Sequence, residues 1–130
     1  MSRKLVIAIS VLSESHRARI AAAAEKHGFE ALFFDDEVSA APALADAEIV
    51  FGQPAFLAKN SPRLRWLCTP SAGVDQFRGE GVFVSPDAVL SNSSGAYGVT
   101  IAEHVVMIIL EMFRRQPEYN AIVRDRKSVV

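Results

Sequence analysis

The amino-acid sequence predicts an α/β fold: a five-stranded parallel sheet of flavodoxin-like order, 2-1-3-4-5, with helices on both faces and a long apolar helix after it. Three observations carry this. Short apolar runs alternate with helical stretches over residues 1–98, the pattern of a parallel sheet. The first run, Lys4 to Ser10, is apolar without alternation, as in a strand buried on both faces. Polar loops rich in Ser, Gly and Asn follow the fourth and fifth runs, where ligands sit in such sheets.

Lys4–Ser10 is read as the first strand. Ser13 or Ser15 can cap a helix running to about His27, with Gly28 as its stop. Phe29–Phe34 is the second strand, and Asp35-Asp36-Glu37 an acidic turn. Ala43–Ala47 is expected to form a short helix, Glu48–Gly52 the third strand, and Ala55–Lys59 a further helical turn. Leu64–Thr69 is the fourth strand, Pro70–Asp75 a tight turn, and Val89-Leu90 the fifth strand. There is no internal repeat and no low-complexity tract.

The 130 residues suffice for a domain with a core. Fourteen basic and fifteen acidic residues give a formal charge of −1, with no basic patch, which argues against nucleic acid as a partner. One cysteine, Cys68, excludes an intrachain disulfide framework. The first apolar run is too short for a secretory h-region, so a cytoplasmic protein is expected.

Val99 to Phe113 reads as a helix with apolar residues around nearly its whole circumference, its only charged or titratable interruptions being Glu103, His104 and Glu111. A helix apolar all round is buried on several sides, and this one is too short to span a bilayer comfortably. It is expected to pack on its own domain and on something else. Residues 1–98 are therefore expected as one domain, 99–116 as a linking and dimerising helix, and 117–130 as an irregular tail.

The candidate chemistry lies in the turns. Thr69-Pro70-Ser71-Ala72-Gly73-Val74-Asp75 follows a strand directly. Successive backbone N–H groups in such a turn can form an anion-binding nest. Gly73 permits close approach of a ligand, and Asp75 can cap the next short helix. An ordinary strand-to-helix turn is the plainer reading of the spacing alone. Asp35-Asp36 reads as a solvated turn, because a receiver domain would need acidic residues after the first and third strands. Cys68 lies within an apolar strand and reads as a buried structural thiol. His104 and Glu103 are adjacent on a helix and point apart, so no metal site is expected; a lone histidine there is read as packed and hydrogen-bonded. No phosphate loop and no Gly-x-Gly-x-x-Gly fingerprint occurs in these residues.

Taken together, Arg65-Trp66-Leu67 before Ser71-Ala72-Gly73-Val74-Asp75, and Ser91-Asn92-Ser93-Ser94-Gly95-Ala96-Tyr97-Gly98 before Ile101-Ala102-Glu103-His104-Val105-Val106, resemble the D-isomer-specific 2-hydroxyacid dehydrogenases. Phe113-Arg114-Arg115-Gln116-Pro117 fits the same pattern, and the resemblance covers about residues 4–120. It implies a flavodoxin-like substrate domain in which the amides of Ala72 and Gly73 hold the substrate carboxylate, with Ser71 and Val74 adjacent. It places Asn92, Tyr97 and Thr100 at the cleft with a nucleotide domain, and makes the following helix part of a homodimer. The family uses NAD or NADP. Its glycine-rich fingerprint and catalytic Arg, Glu and His have no counterpart in these residues, and His104 does not match the catalytic histidine. After Tyr119 the family pattern is lost, as in a truncated chain or a fragment.

The reading that follows is the substrate-binding portion of an NAD(P)-dependent D-2-hydroxyacid dehydrogenase, an oxidoreductase, inactive by itself and with no cofactor of its own. Its expected partners are a small 2-hydroxy or 2-keto acid and a second copy of the chain, with no nucleic acid and no membrane. A stand-alone dimeric module binding small anions through the same nest is the alternative. A flavodoxin-like signalling domain is a third reading, which the misplaced acidic pair opposes.

Overall fold

The computed structural model describes residues 2–53, 58–79 and 81–125. The chain forms two compact units, Met1–Ser94 and Gly95–Val130.

The first unit is a parallel sheet of five strands: β1 (Arg3–Ala8), β2 (Phe29–Phe34), β3 (Ala47–Phe51), β4 (Trp66–Cys68) and β5 (Val89–Ser91). Their order is β2-β1-β3-β4-β5, as the sequence predicts. The register aligns Leu32, Val6, Val50, Leu67 and Leu90 as one row across the sheet. Because side chains alternate along a strand, this row faces one side, and it forms the core with Ala8, Ala40, Leu44, Leu64, Phe77 and Val82. The other face carries Leu5, Ile49, Trp66 and Val89 in the equivalent row. Helix α1 (Glu14–Lys26) lies over β2 on that side, with the Arg17 guanidinium 5.4 Å from the Phe33 ring centre. Trp66 and Val89 remain 44% and 60% exposed.

Ser13 caps α1, its hydroxyl accepting from the His16 amide at 3.3 Å. Gly28, at φ 75°, ends it in the left-handed region that glycine enters at least cost. Helix α2 spans Glu37–Leu44, not the expected Ala43–Ala47. The acidic turn is in fact its start: the Asp36 carboxylate accepts from the Ser39 amide at 2.7 Å. Pro42 lies within this helix, which obscured it in the sequence, since proline normally marks a break. Of the expected turn at 55–59, residues 55–57 lie outside the described residues; Ala58 and Lys59 are helical. At the N-terminal edge of the sheet the buried Glu48 carboxylate is matched by Arg3 at 3.0 Å and Arg63 at 3.5 Å.

The second unit holds α3 (Gly98–Phe113) and α4 (Gln116–Arg124). Two expectations are corrected. The sequence predicts an irregular tail, yet 116–124 is helical, with Pro117 in its first turn and Arg124 in its last; both placements suit a helix. Arg115, at φ 53°, separates the helices and pairs with Glu118. The sequence expects α3 to pack on its own domain and on something else; within this chain none of its residues is buried. His104 is accordingly exposed, not packed. No side chain caps α3 at Tyr97.

Candidate functional site

The polar turn after β4 is built on Thr69, which is fully buried. Its N–H donates to Ser91 O at 2.9 Å, its carbonyl accepts from the Ser93 hydroxyl at 3.4 Å, and its hydroxyl accepts from the Ser71 N–H at 3.2 Å. Every polar group of this residue is thereby tied either to β5 and the segment after it or to the turn. The two polar loops that the sequence singles out are thus adjacent, because β4 and β5 are neighbours.

Two further bonds orient the turn. The Ser71 carbonyl accepts from Ser93 N–H at 3.1 Å, and the Ala72 carbonyl accepts from Asn92 Nδ2 at 2.7 Å. In a trans peptide the N–H lies opposite the C=O, and there is no cis peptide among the described residues. With both carbonyls drawn to residues 92–93, the amides of Ala72 and Gly73 are directed away from that segment. Both residues are exposed. The Ala72 N–H has no hydrogen-bond partner among the described residues, while the Gly73 N–H donates to the Ser71 hydroxyl at 3.2 Å.

Val74 anchors the turn from below: its side chain packs on the core and its carbonyl accepts from Phe77 N–H at 2.9 Å. Asp75 was expected to cap the short helix that follows. It is instead the first residue of a 3-10 turn, Asp75–Phe77, which has no side-chain cap. Its carboxylate faces Arg78 at 3.7 Å. Gln76 Nε2 donates to Gln53 O at 2.7 Å, which fixes the far end of the turn to the loop after β3. Gly73 needs no left-handed backbone, and a Cβ there would meet only the Ser71 hydroxyl at 3.8 Å. What glycine leaves at this position is open space above the amide.

The structure therefore brings together Ser71, Ala72, Gly73, Val74 and Asn92. The last is the member whose contact the sequence did not disclose, since Asn92 and Ala72 are joined only through the parallel pairing of their strands. Tyr97 and Thr100 belong to the second unit, where the Thr100 hydroxyl donates to the Tyr97 carbonyl at 3.0 Å. Cys68 is half-buried on β4, less enclosed than expected. Asp35 pairs with Arg17 at 3.1 Å. Among the described residues no group of three His, Cys, Asp or Glu side chains is placed to hold a metal, and no helix is long and apolar enough to cross a membrane.

No family model and no curated protein matches this chain. Solved structures do. A D-isomer-specific 2-hydroxyacid dehydrogenase family protein from Aeromonas salmonicida is 24% identical, with a TM-score of 0.79 over 99% of this chain and 41% of its own. A D-lactate dehydrogenase from Treponema pallidum is 18% identical, with a TM-score of 0.67 over 98% of this chain and 40% of its own. A D-lactate dehydrogenase from Lactobacillus jensenii, solved with NAD+, is 19% identical, with a TM-score of 0.65 over 98% of this chain and 41% of its own. The class of fold is thus that of part of the D-isomer-specific 2-hydroxyacid dehydrogenases, of whose length this chain spans about two fifths.

Proposed function

We propose that this chain is the substrate-binding portion of an NAD(P)-dependent D-2-hydroxyacid dehydrogenase. The observation that carries the reading is the pair of amides at the exposed residues Ala72 and Gly73, directed away from residues 92–93 by hydrogen bonds to their own peptides' carbonyls. Such a pair suits one carboxylate of a small 2-hydroxy or 2-keto acid. The support from outside the chain is the shared fold with solved dehydrogenases and the two sequence motifs in matching order.

Hydride transfer needs a bound nicotinamide and an acid–base group beside the reacting carbon. The residues of this chain supply neither by any recognisable motif. Their part is to hold and orient the substrate. The Ala72 and Gly73 amides bind the carboxylate, Ser71 and Val74 flank them, and Asn92 keeps the Ala72 peptide turned outward. Tyr97 and Thr100 keep the cleft assignment that the family resemblance implies. The chain acts in the cytoplasm and associates as a homodimer through α3.

The test is an amide-resolved NMR titration of this chain with glyoxylate or pyruvate, alongside an assay for nicotinamide oxidation. The expected result is weak, saturable movement of the Ala72 and Gly73 signals, with no turnover above buffer. Gly73→Val should abolish the movement and leave the rest of the spectrum folded, because its Cβ meets only an ordinary contact. Unmoved signals at high ligand concentration would reduce the turn to a structural corner, and turnover would refute the reading of an inactive portion.

A further inference from the structure

We propose that the Ser71 hydroxyl is a latch on the anion site, occupying the Gly73 amide until a carboxylate displaces it. This inference rests on the reading of Ala72 and Gly73 as the carboxylate-binding pair. The carbonyl-pinning bonds make two successive amides available on one side of the turn. One, at Ala72, has no partner among the described residues. The other, at Gly73, is met by an oxygen that the chain itself provides, Ser71 Oγ at 3.2 Å. That oxygen lies where an oxygen of a bound carboxylate would accept from Gly73.

The geometry favours exchange over permanence. An N–H···O bond of 3.2 Å is at the long end of the usual range, and the acceptor is neutral. A carboxylate oxygen makes shorter bonds of roughly twice the strength. Ser71 can release its hydroxyl without moving the turn, because its own N–H is held by buried Thr69 and its carbonyl by Ser93. Rotation about χ1 then frees Gly73 while the backbone stays fixed. In the absence of ligand the latch satisfies the amide; with ligand it costs the binding reaction one internal hydrogen bond.

The sign of the effect separates a latch from a ligand-binding hydroxyl. Ser71→Ala removes the competitor, so pyruvate should bind about two- to tenfold more tightly, the range expected for one net hydrogen bond. In the ligand-free variant the Gly73 amide proton should move upfield and exchange faster, with the Ala72 proton little changed. Ser71→Thr keeps the oxygen and should retain the wild-type dissociation constant and Gly73 shift. Equal or weaker binding by Ser71→Ala, with wild type still responding, would overturn the latch alone and leave the site intact. If neither protein shows any Ala72 or Gly73 response to pyruvate, the carboxylate site itself is refuted, and the latch with it.

Discussion

Leu67 on β4 is fully buried, whereas Leu110 on α3 is 57% exposed and Phe113 at its end 82% exposed. Both stretches are strongly apolar, and the sequence alone gives no reason to rank one as core and the other as surface. The difference lies in what each secondary structure can do with its apolar residues. In the sheet unit, period-two alternation and parallel register collect them into rows, so that Leu67 is flanked by Val50 and Leu90. In α3 they are spread around the helix, and none of its residues is buried. A sheet finishes its own core; a helix apolar all round needs a partner to do so. The groove of ≈ 660 Å³ beside α3, lined by Ala102, Val106, Met107 and Leu110, has the same incompleteness.

The largest expected effect contrasts the two leucines directly. Leu67→Ala should destabilise the sheet unit by about 2–5 kcal/mol, the range for a buried leucine that leaves a cavity. Leu110→Ala, at dilutions where the chain is monomeric, should cost about 0.5 kcal/mol or less, as at other surface positions. Urea melts followed by the fluorescence of Trp66, the single tryptophan and a β4 residue, would read the sheet unit. Equal costs would mean that the two regions do not differ as described.

Next in size is association. Ile108 and Met112 are 40% and 73% exposed. Burying such a side chain is worth about 1.5–3 kcal/mol, so three or four of them on an isologous interface suffice for a dimer. Light scattering at micromolar concentration should give the dimer mass for the wild type. Ile108→Glu or Met112→Glu should shift it to the monomer, while the sheet unit melts unchanged. A wild type that stays monomeric at high concentration would remove the proposed role of α3.

The same contrast explains which parts of the fold are legible in the sequence. The strand order followed from apolar runs at βα spacing, and the turn at Ser71–Gly73 from small polar residues beyond a strand. The sequence places the start of α2 too late because Asp35-Asp36-Glu37 looks like a solvated turn and Pro42 like a breaker, whereas a capping bond starts the helix upstream of the proline. Helix α4 is hidden in the sequence by the loss of family pattern after Tyr119, although Pro117, Glu118 and Arg124 sit where helix ends favour them. The apolar pattern of α3 tells how many of its faces need covering, not what covers them. The bonds from Asn92 to Ala72 and from Gly73 to Ser71 were not legible at all. They depend on side-chain rotamers and on which loops the sheet makes neighbours.

The smallest expected effect sharpens the comparison at the helix starts. Helix α2 begins at a carboxylate that accepts from the Ser39 amide, while α3 begins at Tyr97 with no side-chain cap. The Asp36 carboxyl is held below the ordinary aspartate range, first by the Ser39 amide and second by the Ser39 hydroxyl. A depressed folded-state value sets the sign. The cap's contribution is fully present above the unfolded value of about 3.9 and is lost as pH falls through the lower folded value. Acidification below about pH 4 should therefore fray α2, seen as faster exchange of the Ser39 amide, with no matching change at the uncapped start of α3. Asp36→Asn keeps a good capping oxygen but cannot ionise, so it should remove this pH dependence and leave the helix in place. A Ser39 amide that exchanges with the same acid profile in the Asn variant would show that the start of α2 responds to some other group.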